Sequence, residues 1–154
     1  MSVALAEIRD EPAFVRRMEV GDLTKHGPWL MERLTALAPH LTAQNAAGWI
    51  RGFIYSNEHL FLYQDHAVAL VQAVPGYGLT SMLVVQERFV WVEDKEDKAQ
   101  LKAAADFYLH IYDWAKLKGA EQMICMESSD VPQQMIEERV GRLFKFETRY
   151  ARIK

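Results

Sequence analysis

A chain of 154 residues, half of them hydrophobic and a quarter charged, is sized for one globular domain (residues 1–154) whose core needs no staple. A net charge of −3 with no basic block argues against a nucleic-acid partner, and no apolar run approaches the roughly 18–20 residues that would span a bilayer. The single cysteine, Cys125, excludes an internal disulfide; flanked by Ile124 and Met126, it reads as a buried reduced thiol and points to a cytoplasmic setting.

The first twelve residues carry acids early and lack the apolar core of a secretory signal. The stretch 14–20 (FVRRMEV) reads as a strand, broken by Gly21 and Asp22, with Asp22 as the N-cap of the next helix. That helix is expected over 28–37, with Pro28 in its first turn and Pro39 ending it. A second is expected over 42–56, capped by Thr42, with Gly48 and Gly52 on one face. The aromatic residues Trp49, Phe53, Tyr55, Phe61 and Tyr63 are read as core.

Two strands, 59–64 and 67–74, flank Asp65-His66, a pair suited to a tight hairpin. The run 79–93 reads as one long strand, and Gln86-Glu87-Arg88 in its middle marks a bulge or kink. Apolar residues between positions 101 and 115 recur near a 3.6 period, which predicts a helix over 97–118 stopped by Gly119. A strand at 121–127, a helix at 131–139 capped from Ser128-Ser129-Asp130, and a closing strand at 143–153 complete the order. A helix between two strands implies a parallel pair, whereas the hairpins are antiparallel. The result is an α/β (α+β type) fold, a mixed, mostly antiparallel twisted sheet of about 6–7 strands flanked by about four helices.

This order resembles the Gcn5-related N-acetyltransferase (GNAT) superfamily from about residue 14 to 153. FVRRMEVGDL resembles its opening strand and helix start, DWAKLKGAEQMICM the end of its third helix and fifth strand, and GRLFKFETRYARI its closing strands. The compact, glycine-poor form also resembles acetyltransferase-like proteins of tailed bacteriophages. The resemblance implies transfer of an acetyl group from acetyl-CoA to an amine of a small molecule or protein. It implies a pantetheine arm beside the backbone of Val90, Trp91 and Val92, and a diphosphate at the helix start near Lys98, Ala99, Gln100 and Lys102, with Ser129 near the arm. Glu87, mid-strand beside the bulge, is the candidate base, and Glu93 is its alternative.

The chain departs from the family at the diphosphate loop, normally Arg or Gln, two residues, Gly, one residue, then Gly or Ala. Here Glu93-Asp94-Lys95-Glu96-Asp97-Lys98 contains no glycine, and its acids compete with an anion for the helix dipole. That departure supports a second reading, a catalytically inactive scaffold that contacts a host or virion protein. A homo-oligomer is compatible with either reading. Cys125 lacks a nearby histidine and is a poor nucleophile; His59 and His66 read as turn residues, and Tyr150 as packing. No Cys-x-x-Cys or clustered histidine marks a metal site.

Overall fold

The computed structural model describes residues 14–75, 83–124 and 129–144. In chain order these form β1 (Arg16–Arg17), a 3-10 turn (Val20–Asp22), α1 (Leu23–Leu37), α2 (Ala43–Tyr55), β2 (His59–Gln64), β3 (Ala67–Pro75) and β4 (Leu83–Val92). There follow α3 (Lys98–Ala104), α4 (Phe107–Lys118), β5 (Gln122–Ile124) and α5 (Gln133–Val140). The strands lie in the order β1-β2-β3-β4-β5. Every pair is antiparallel except β4–β5, which is parallel as a helical crossover requires.

Alternation along β2 divides the core in two. Leu60 and Leu62 face one side, with Ala69, Val85, Val90 and Val92, and are covered by α3, α4 and α5. Phe61 and Tyr63 face the other, with Leu70, Phe89 and Trp91, and are covered by Leu30 of α1 and Ile50 of α2. α4 alone buries Phe107, Leu109, Ile111 and Trp114, each worth roughly 1.5–3 kcal/mol of transfer free energy. Gly119 ends α4 at φ 77°, the left-handed conformation expected of it.

Several expectations hold. Thr42 caps α2 by accepting from the Asn45 N–H at 3.1 Å, and Asp65-His66 turns the β2–β3 hairpin. Others need correction. The opening strand shrinks to Arg16–Arg17, the residues in register with β2. α1 starts five residues before Pro28, which sits inside it, because residues 23–27 already supply a turn. Asp22 does not cap α1; its carboxylate takes the Arg16 guanidinium at 2.6 Å and the Glu19 N–H at 2.7 Å. The helix expected over 97–118 is two segments, tightened at Ala105-Asp106 by bonds that reach back only three residues.

The described residues form five strands, not 6–7. Leu143 and Phe144 belong to the turn after α5, while 145–153, 79–82 and 125–127 of the expected strands lie outside the described residues. Trp49 (53% exposed) and Tyr55 (76%) lie on the outer side of α2 and leave the predicted aromatic core.

Candidate functional site

The long strand β4 carries the site. Leu70 of β3 pairs with Phe89, yet Val71 pairs with Glu87, so Arg88 is an extra residue and a β-bulge sits where polar residues interrupt the apolar run. The bulge changes which side chains point where. Val85 and Glu87 lie on the α4 face before it, and Val90 and Val92, of opposite parity, lie on that same face after it. Beside the bulge β4 pairs in parallel with β5 up to Gln86–Ile124, and Val90 bridges Ser129; residues 125–128 lie outside the described residues.

Glu87 is fully buried on that face. Tyr108 of α4 donates its hydroxyl hydrogen to the Glu87 carboxylate, and the same hydroxyl lies 3.2 Å from Ser129 Oγ. Ser129 Oγ also accepts from the Val131 N–H at 3.3 Å, which fixes the chain between β5 and α5. The candidate base and one predicted arm residue thus share a hydrogen-bonded trio. Tyr108 is the member missed from sequence, because it lies on the apolar face of a helix and reads as core. A hydroxyl on a buried stripe opposite a mid-strand carboxylate is the available signal.

Val90 and Val92 turn their peptide groups toward β5, and Trp91 turns its own toward β3, as strand alternation demands. The Val90 carbonyl accepts from the Asp130 N–H at 2.8 Å. The Val92 N–H donates to the Asp130 carboxylate at 2.9 Å. That carboxylate is in turn held by the Arg33 guanidinium through two bonds, one of 2.6 Å from Nη2. Arg33 also donates to the Val92 carbonyl at 3.3 Å and lies over the Trp91 ring, 4.6 Å from its centroid. Asp130, read from sequence as part of a helix cap, serves β4 instead; α5 starts after Pro132 with no side-chain cap. Arg33 escapes sequence reasoning, since an arginine in a mid-helix position reads as solvated.

Lys98, Ala99, Gln100 and Lys102 are brought together at the start of α3, with both lysines exposed. The Asp97 carboxylate caps that helix, accepting from Ala99 N–H at 2.9 Å and Gln100 N–H at 3.3 Å. The loop before it closes on itself: Gln100 Oε1 accepts from Asp94 N–H at 2.9 Å, and Asp94 accepts from Glu96 N–H at 3.0 Å. A hollow of about 400 Å³ beside this loop is lined by Gln64, Asp65, His66, Asp97 and Gln100 among others. Glu93 is exposed and pairs with His66 at 3.1 Å, while His59 accepts or donates at 2.8 Å to Ser56 Oγ. His66 is a turn residue as expected, whereas His59 opens β2, in register with Gln72. Cys125 and Ser128 lie outside the described residues. Among the described residues no group of acids, histidines and cysteines is arranged to hold a metal ion, and no helix is long and apolar enough to cross a membrane.

The fold is that of known N-acetyltransferases. Glucosamine-6-phosphate N-acetyltransferase from Arabidopsis thaliana superposes with a TM-score of 0.65 at 16% identity, covering 94% of this chain and 97% of its own. An aminoglycoside 6'-N-acetyltransferase from Acinetobacter baumannii gives 0.60 at 17% identity, covering 92% and 96%. An aminoglycoside N-acetyltransferase solved in complex with CoA gives 0.61 at 17% identity, with 92% of each chain covered. No protein-family model matches the chain, and no curated protein matches it in sequence.

Proposed function

We propose that the chain is an N-acetyltransferase of the GNAT type, using acetyl-CoA as donor and an amine of a small molecule or protein as acceptor. The observation that carries the reading is the bulge in β4 with a fully buried carboxylate beside it. The bulge at Arg88 sets Glu87 on the α4 face, and past it Val90 and Val92 turn their peptide groups to the β5 edge of the strand, where they meet Asp130. In this fold that edge suits an extended amide-bearing chain, and the donor's thioester would supply the activated acetyl group. Glu87 is the proton acceptor in this reading. Being fully buried, it communicates with that edge through the hydroxyls of Tyr108 and Ser129.

The arrangement as it stands does not fit the donor at either grip. The Asp130 carboxylate holds the Val92 N–H, and the Asp97 carboxylate holds the N–H groups of Ala99 and Gln100. This observation favours a second reading, an inactive scaffold of the same fold that binds a protein, with a host or virion partner if the chain is phage-encoded. Calorimetric titration with acetyl-CoA, followed by thiol release against a panel of primary amines, separates the two. Saturable binding with amine-dependent thiol release is expected of the enzyme. No heat at millimolar acetyl-CoA refutes it and leaves the scaffold.

A further inference from the structure

The edge of β4 that the proposed reading assigns to the donor is already dressed as if a ligand were present. Val90 offers a carbonyl, and Val92 an N–H and a carbonyl, all toward β5, the pattern with which an extended chain of secondary amides pairs. Each of these three groups has a protein partner: the Asp130 N–H, the Asp130 carboxylate and the Arg33 guanidinium. The two side chains come from α1 and from the segment before α5, 97 residues apart, and they meet at this edge. The Asp130 side chain is only 6% exposed, and Arg33 covers it while lying on Trp91. Lys95, 3.9 Å from the same carboxylate, adds a third cation from the loop leading to α3.

A carboxylate is an unusual choice for ending a strand pair. A main-chain carbonyl from β5 would satisfy the Val92 N–H equally well, and its bond would belong to the sheet. A side chain carries no such commitment: rotation about two torsions removes it while the backbone stays in place. We infer that Asp130 and Arg33 form a latch over the donor edge of β4. In the closed form it occupies the groups that an amide-bearing arm would use, and release of Asp130 from Arg33 toward Lys95 frees the Val92 N–H. The inference rests on the acetyl-CoA reading and adds to it that donor affinity is set by this pair.

The test is titration of the full chain with acetyl-CoA, for wild type, Asp130→Ala and Asp130→Asn. Alanine removes the occupant, so Kd should fall at least tenfold. Asparagine keeps an acceptor for the Val92 N–H but loses the charge that ties it to Arg33, and should give an intermediate Kd. Residues that served only to stabilise the fold would weaken binding when replaced, not strengthen it. Equal or weaker binding by Asp130→Ala, with wild type binding, overturns the latch and leaves the enzyme reading intact. No binding by any form overturns both. Should Asp130→Ala fail to fold, Arg33→Gln frees the Val92 carbonyl and unties Asp130, and is expected to tighten binding about threefold; no tightening overturns the latch.

Discussion

Arg139 of α5 reaches Asp106 at the junction of α3 and α4, with Nε 2.5 Å from Oδ1. Both side chains are largely covered, 13% exposed for Arg139 and 7% for Asp106. Arg139→Ala takes a cation away from a carboxylate that water cannot fully reach. Breaking one side of a buried pair costs about 3–5 kcal/mol, most of it the penalty of the charge left behind. Asp106 has further interactions besides Arg139, which places the expectation at the low end of that range. A loss of about 3 kcal/mol is therefore expected, a large share of the roughly 5–15 kcal/mol that holds a domain folded. At about 2–4 °C per kcal/mol for a chain of this size, the melting temperature should drop about 6–12 °C. Urea unfolding of wild type, Arg139→Ala, Asp106→Asn and the double variant gives the coupling directly. The double variant should be more stable than the sum of the two losses allows. A loss below about 1 kcal/mol for Arg139→Ala would show that the pair is solvated and that the burial argument is wrong.

Gly119 adopts φ 77°, so Gly119→Val should cost about 1 kcal/mol or more in urea unfolding, and an unchanged midpoint would place the helix end elsewhere. Gly48 and Gly52 lie in exposed positions of α2 with open space where a Cβ would stand. Replacing either by alanine should therefore stabilise by about 0.5–1 kcal/mol, and a destabilised variant would reveal a contact on that face. His26, His59 and His110 all have pKa values lowered below 6.5, chiefly by burial. Unfolding then adds protons as pH falls through about 6.5, so the stability present above that pH should decline as pH falls below it toward the lowered folded-state values. A flat profile over that window would contradict the burial of these rings in neutral form.

The features legible in the sequence are those whose signals are local. Asp65-His66 between two apolar runs fixes a hairpin, Gly119 fixes a helix end, and Gln86-Glu87-Arg88 inside an apolar run fixes a bulge, each within a few residues. Of the hydrogen-bonded trio, the residues themselves mark only Glu87; Ser129 enters through the family resemblance, and Tyr108 not at all. The companions of Glu87 come from far along the chain, Tyr108 from α4 and Ser129 from beyond β5, and nothing local distinguishes them from a core tyrosine and a capping serine. Asp130 shows the same limit. A serine-serine-aspartate run before a proline reads as a helix cap, but the tertiary competitor, an N–H on β4 backed by Arg33, wins the carboxylate. The break at Ala105-Asp106 escapes because its residues are good or neutral helix formers. Arg139 draws Asp106 inward, a cause invisible to periodicity.

The Arg88 bulge makes β4 a strand read in two frames. Before it, odd-numbered residues face the α4 side; after it, even-numbered ones do. The stacked pair Phe89 and Trp91, 4.0 Å apart, therefore sits under α1 and α2, while valines sit under α3 and α4. The two halves answer to different packing partners although they are one continuous element. Any comparison that slides this strand past another by a single position, without allowing for the extra residue, trades inside for outside along half its length. Rings would be matched to valines, and the internal carboxylate to a solvent position.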